Sequence, residues 1–250
     1  MRLQRLGVAV ALLAVILVVG CSTVLVRPTP QARVELNIVS IGNTYVETSS
    51  ELPVHPIISN VRAFNHAIAS VKLHRAQLTS VISDSLSLVD IMKIAERYDS
   101  PGSTTLLFIS SHGFRDGFLF KKPIPFEDLF LSLDREMRGT VILVLESCYS
   151  GVMNEVLAKS GSTHVFALTS TRGPELERWY ALNGSFNDAI ANAIRAKDSM
   201  KHHGVITFGE FYDSVQADIC RWNKRYPLNG EPLMDAGMYG PRELVVLDSD

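Results

Sequence analysis

Val141-Ile142-Leu143-Val144-Leu145-Glu146-Ser147-Cys148-Tyr149-Ser150-Gly151 joins five consecutive aliphatic residues to a polar turn carrying a thiol and a glycine. An aliphatic run rich in β-branched side chains, with no polar alternation, is the pattern of a strand buried on both faces of a parallel sheet. A second run, Thr104 to Ile109, leads into Ser110-Ser111-His112-Gly113. Ligands of open α/β sheets collect beyond the carboxyl ends of the strands, so chemistry is expected just past each run. His112 and Cys148 each lie three residues beyond the last aliphatic residue of their run. If the two strands pair as neighbours, about 4.8 Å apart, equal offsets bring both side chains to one rim. A thiol and an imidazole there supply a nucleophile and a general acid/base, the minimum for acyl transfer to sulfur. Gly113 and Gly151 let backbone approach a substrate and present N–H groups to an oxyanion. Taken singly, a Cys past a strand is more often a small core residue, and a His more often satisfies a local hydrogen bond; the matched offsets favour the pair.

Outward from these motifs the pattern alternates. Strands are expected over Val34 to Ile41, Leu78 to Ile82, Thr104 to Ile109, Val141 to Leu145, Val165 to Thr169 and Leu244 to Leu247. Between them, Ser59 caps a helix running to about Ala69, and Ser87 with Asp90 opens a capping box before Leu88 to Tyr98. Pro125 to Met137 places Phe126, Leu129, Phe130 and Leu133 on one face; further helices start near Val152, at Phe186 and at Thr207. Phe118-Leu119-Phe120 suits a small hairpin, and the Pro- and Gly-rich Pro227 to Pro241 segment a long loop beside the cleft. Strands alternating with helices of this length predict an α/β fold, a three-layer α/β/α sandwich around a mostly parallel central sheet.

Composition narrows the function classes. The chain has 250 residues, 46% of them hydrophobic, and a net charge of -2, which excludes disorder and a basic nucleic-acid binder. Three cysteines, Cys21, Cys148 and Cys220, are too few for a disulfide scaffold, and none has metal-ligand spacing, so neither a metal nor a cofactor is expected. The adjacent His202 and His203 lack a third ligand and suit a solvated loop. The mean hydropathy of +0.14 is high because apolar residues crowd the start of the chain. Arg2 and Arg5 precede an apolar stretch, Val8 to Val19, and Val18-Val19-Gly20-Cys21 closes it. That is the layout of a bacterial secretory signal. Its last four residues resemble a lipobox, with Val18 where Leu is commoner. The resemblance implies cleavage after residue 20, lipidation of Cys21, a tether over 21–33 and a body over 34–250. Loss of Arg2 and Arg5 leaves 22 basic against 26 acidic residues, a net charge of -4. An uncleaved anchor is the alternative, since Leu6 to Val26 is free of charge and about long enough to cross a bilayer. Either way the body is exported to the bacterial envelope, facing the periplasm or the surface and attached to the membrane through its N-terminus.

Strand, His-Gly, then strand, Glu-Ser-Cys-Tyr-Ser-Gly resembles the caspase-fold clan of cysteine peptidases, and Glu146 to Gly151 is most similar to its legumain-like branch. The likeness in element order runs over Val34 to Leu247 but is sharp only at the two motifs. It implies a His112–Cys148 dyad acting on peptide or protein substrates through a thioester, by hydrolysis or transpeptidation, with oxyanion donors from the backbone N–H groups of Gly113 and Cys148. It also implies Asn43 as an orienting group near the histidine, and Glu146 and Ser170 in the wall of the primary specificity pocket. Read as residues alone, Asn43 is a turn residue, Glu146 a buried acid bonded to backbone, and Ser170 a helix cap. The sequence departs from legumains at Ser170-Thr171-Arg172-Gly173, which replaces an Ala-rich segment, and no clear Arg follows Asn43. Arg172, Glu175, Glu177 and Arg178 leave the sign of the pocket open. Two other classes compete: a catalytically silent envelope binding protein on the same fold, and an amidotransferase-like hydrolase whose Cys takes a later His, such as His164, His202 or His203.

Overall fold

The computed structural model describes residues 35–43, 55–73, 75–173, 185–196, 205–225 and 235–248. Each aliphatic run becomes a strand. β1 (Leu36–Gly42), β2 (Ala76–Ile82), β3 (Thr104–Ser110), β7 (Thr140–Glu146) and β8 (Val165–Thr169) pair in parallel, and β10 (Gly237–Tyr239) adds an antiparallel edge to β8. The six-stranded order is β10-β8-β7-β3-β1-β2. β1 is buried along its whole length, whereas β2, at the other edge, is half-exposed throughout.

Alternate residues of the strands feed two separate cores, which makes the molecule three-layered. Leu36, Ile38, Leu106, Phe108, Ile142, Val144, Phe166 and Leu168 face α1 (His55–Ala69), α5 (Ser185–Ala196) and α6 (Phe208–Arg225). Val39, Ile41, Leu107, Ile109, Val141, Leu143, Leu145 and Val165 face α2 (Leu88–Ala95), α3 (Phe126–Glu136) and α4 (Val152–Ser160). Phe64 stacks on Phe108 with ring centroids 4.5 Å apart, locking α1 to the sheet. Asn37, fully buried in β1, donates through Nδ2 to the Ala95 carbonyl at the end of α2 (2.8 Å), tying that helix to the sheet, while its Oδ1 stays without a partner.

The predicted capping box at Ser87 and Asp90 forms in full, and the four apolar residues of α3 are all buried. Four expectations change. α1 starts at His55, so Ser59 lies inside it; Pro56 falls in the first turn, where a missing N–H forfeits no helix bond. The C-terminal strand β11 (Val245–Asp248) pairs with β9 (Val205–Thr207) in a two-stranded antiparallel sheet, and the expected loop up to Pro241 contains the edge strand β10 instead. Strands of three residues leave no periodicity to read. Phe118-Leu119-Phe120 belongs to a three-stranded antiparallel sheet of β4 (Gly113–Phe114), β5 (Gly117–Leu119) and β6 (Pro123–Pro125), whose Phe118, Phe120 and Ile124 bury against α3.

Among the described residues no helix is long and apolar enough to cross a membrane. The expected secretory segment, Cys21, the expected tether, and the residues Glu175, Glu177, Arg178, His202 and His203 lie outside the described residues.

Candidate active site

β3 and β7 are neighbours, with Ile109 opposite Leu145 and Ser110 opposite Glu146. Equal offsets from that register carry His112 and Cys148 to the same carboxyl-end rim. The ladder continues one step past the strands, as the Ser111 N–H donates to the Glu146 carbonyl at 3.1 Å. Beyond it the two loops touch through backbone. A Cβ built on Gly113 would lie 1.9 Å from the Cys148 carbonyl oxygen and 2.8 Å from its carbon. Only a residue without a side chain closes this contact.

The Cys148 thiol is half-buried and unbridged. Burial raises its pKa above the ordinary thiol range, and the backbone N–H groups of Gly113 and of Cys148 itself act against that rise by reaching the sulfur. Both N–H groups thus lie near the thiol, the arrangement that an oxyanion site requires.

His112 is half-buried and sits where β3 hands over to the small antiparallel sheet. Its carbonyl accepts from the Leu119 N–H at 2.9 Å. The Leu119 carbonyl in turn accepts from Ser111 Oγ (2.6 Å) and from Asn43 Nδ2 (2.7 Å). Asn43 is fully buried at the end of β1, so it acts on the histidine loop through Leu119. Ser111 shares that duty; a hydroxyl run, Ser110-Ser111, directly before the histidine was its only mark in the sequence.

Past Cys148, Tyr149 has φ +61°, a left-handed conformation that costs a non-glycine residue about 1–2 kcal/mol. Hydroxyl groups hold the turn in that shape. Ser170 Oγ donates to the Ser147 carbonyl (3.1 Å) and lies 3.1 Å from Ser150 Oγ. Ser150 accepts from the Thr171 N–H (3.2 Å), and the Gly151 N–H donates to Thr171 Oγ1 (2.8 Å). Asn154 Nδ2 reaches Thr169 Oγ1 (2.8 Å), whose own hydroxyl donates to the Thr171 carbonyl (2.7 Å). Ser170 therefore braces the thiol loop. Gly151 serves the same contact: its N–H is engaged by Thr171, and a Cβ there would lie 2.4 Å from the Gly173 nitrogen.

Glu146 has no exposed surface and projects on the α1/α5 side with Ile142 and Val144. Burial pushes its carboxyl up to about 8; Ser110, Asn60 and the Asn187 N–H temper the effect, and Asp188 adds to it. None of these closes to a full hydrogen bond with either carboxyl oxygen. The group is a neutral acid at pH 7, not an acid satisfied by backbone. Arg172 is ion-paired with Asp235 at 3.1 Å beside Tyr212, on the rim past β8. His164 is at the wrong end of the sheet to serve Cys148: its carbonyl accepts from the Val141 N–H (2.7 Å), where β7 begins. Seven residues of strand at about 3.3 Å each separate that end from Cys148.

No protein-family model matches the chain, and no curated protein matches it. Solved structures do. Caspase-1 from Spodoptera frugiperda superposes with a TM-score of 0.61 at 11% identity, over 87% of this chain and 92% of that one. The structure of pro-sf-caspase-1 superposes with a TM-score of 0.56 at 9% identity, over 84% and 94%.

Proposed function

We propose that this caspase-like fold carries a cysteine endopeptidase that acts through Cys148 and His112 and is held at a bacterial envelope by lipid on Cys21. The observation that carries the reading is the backbone contact of Gly113 with Cys148, which brings the Gly113 and Cys148 N–H groups near the sulfur on the rim that His112 reaches from the adjacent strand.

The resting thiol is protonated, so the step begins with proton transfer from Sγ to the imidazole as the thiol attacks the peptide carbonyl. Charge on the carbonyl oxygen is taken up by the Gly113 and Cys148 N–H groups. Collapse of the adduct breaks the C–N bond, and the protonated His112 gives its proton to the leaving amine. Cys148 is left as a thioester. Water resolves it to a carboxylate, or a second amine resolves it to a new peptide bond. Asn43 steadies the histidine loop, Ser170 steadies the thiol loop, and Glu146 lies beneath the pocket as an uncharged acid able to donate one hydrogen bond.

The test is Cys148→Ala and His112→Ala, each assayed on a peptide library and with an acyloxymethyl-ketone probe. Both changes abolish cleavage, and Cys148→Ala abolishes labelling; labelling that survives it refutes the assignment. A second reading, a silent envelope binding protein, draws on the thiol held neutral by burial. Partner binding unchanged in Cys148→Ala, with no turnover by the wild type, decides for it. The lipid anchor is tested by Cys21→Ser, which moves the protein from the membrane to the soluble fraction and ends incorporation of labelled fatty acid.

A further inference from the structure

The rim of the central sheet has a direction. Its parallel strands end in the order β8, β7, β3, β1, β2. Cys148 stands past β7 and His112 past β3. A general acid must adjoin the nitrogen that it protonates, so the half of a bound peptide that departs with the amine lies on the His112 side. From there it runs past β1 toward β2.

A groove of about 400 Å³ opens along that course, between the β5–β6 turn and the first turns of α2 and α3. It shares the rim with the site. α2 starts a few residues after the carboxyl end of β2, and α3 follows the small sheet whose Leu119 is bonded to His112. Lys121 is two residues beyond Leu119 in the tight β5–β6 turn, where the Phe120 N–H donates to the Lys122 carbonyl (3.3 Å), so it lies within about 7 Å of Leu119. A peptide spans that distance with its second to fourth residues after the scissile bond.

The lining has two parts. Leu88, Ile124 and Pro123 give an apolar floor, and the exposed Lys121 and Lys122 stand over it. Asp128 is the acid on the wall, and Asp90 lies near Lys121 and Lys93. Asp90 is already engaged, since its Oδ2 accepts from the Ser87 N–H (3.0 Å) and Ser87 Oγ (2.6 Å). The start of α3 adds no net positive potential, since its Phe126 N–H donates to the Asp116 carbonyl (2.8 Å) and Glu127 and Asp128 sit in its first turn, so the attraction for an acid comes from Lys121 and Lys122.

We infer that this groove binds the leaving-group half of the substrate, an apolar side chain resting on Leu88 and Ile124 and an acidic residue meeting Lys121 and Lys122. The inference rests on the cysteine-peptidase reading and gives that site a preference on the departing side.

A proteome-derived peptide library is digested with wild type and with the double variant Lys121→Glu/Lys122→Glu, and cut sites are identified by mass spectrometry. Wild-type cuts are enriched in Asp or Glu at the second to fourth positions after the bond. In the variant the enrichment disappears or inverts to Lys and Arg, and kcat/KM on the best acidic peptide falls about tenfold, the effect of two exposed charge reversals. A companion substrate has the same residues before the bond but an aminocoumarin leaving group, and its kcat/KM stays within about twofold. Acidic enrichment that persists in the variant, or a coumarin substrate that loses as much as the peptides, overturns the inference while leaving the peptidase intact. A folded wild type that cuts nothing overturns both.

Discussion

The contact between Gly113 and Cys148 yields a quantitative prediction. An alanine at 113 would place its Cβ 1.9 Å from the Cys148 carbonyl oxygen, 2.8 Å from the carbon and 3.0 Å from the nitrogen. Ordinary contact needs about 3.5 Å, so the loops must part by about 1.5 Å. The obstacle is backbone, which cannot rotate aside as a side chain does. The displaced groups include both N–H donors that face the sulfur. A misplacement of about 1 Å costs roughly 10²-fold in rate, and loss of one oxyanion donor costs about 10²–10³-fold. Gly113→Ala is therefore expected to lower kcat by about 10²–10³-fold with little change in KM. The fold should survive, because Gly113 opens the two-residue strand β4 on the rim and lies outside the central sheet. Steady-state kinetics on the best library peptide, with thermal melting alongside, checks this. Gly173→Ala is the control on the same rim: nothing lies within 4 Å of its built Cβ, and activity should stay within about twofold. A Gly113→Ala enzyme that keeps more than a tenth of wild-type kcat refutes the argument.

Three further outcomes follow from burial and charge. Because the folded protein holds the Glu146 proton up to about 8 against an ordinary 4.5, Glu146 adds no cost below 4.5 and destabilises increasingly as pH rises to 8. The stability gain of Glu146→Gln over wild type should thus grow by about 3 kcal/mol from pH 5 to pH 8, at 1.36 kcal/mol per unit; denaturant melts at both pH values that give a constant gain would contradict it. The raised Cys148 pKa predicts that iodoacetamide at pH 7 modifies exposed Cys220 first, with Cys148 accelerating as pH climbs past the ordinary thiol range of about 8.5; peptide mass mapping that finds Cys148 the faster at pH 7 counts against a neutral resting thiol. The buried Asp99 accepts from the Arg138 N–H (2.7 Å) and the Gly139 N–H (2.9 Å), so Asp99→Ala strands two donors and should cost about 2–4 kcal/mol in a denaturant melt.

The sheet, and the placing of His112 and Cys148 on one rim, were legible because both depend on patterns local to the chain. Aliphatic runs mark doubly buried strands, and equal spacing beyond Ile109 and Leu145 became a shared rim once register paired those two residues. Pairing itself was not written in either motif. Short elements stayed hidden: β9 and β10 have three residues each, and β10 lies between Gly and Pro signals that read as loop. Ser170 illustrates a deeper limit. Its position past β8 was plain, but that its hydroxyl serves Ser147 and Ser150 depends on how two loops 20 residues apart approach each other. Asn43 shows the same thing, since its partner, Leu119, is 76 residues away.

The turn that presents Cys148 is braced by Ser150, Ser170, Thr171, Thr169 and Asn154, and none of these side chains ionises in the physiological range. A brace of hydroxyls and amides gives salt no charge to screen and gives pH no proton to remove. The loop should then keep one shape across conditions that would loosen an ion-paired loop. The one scaffold proton close to the loop is that of Glu146, so the Glu146→Gln protein is the form in which the alkaline limb of the rate profile would report the reacting groups alone.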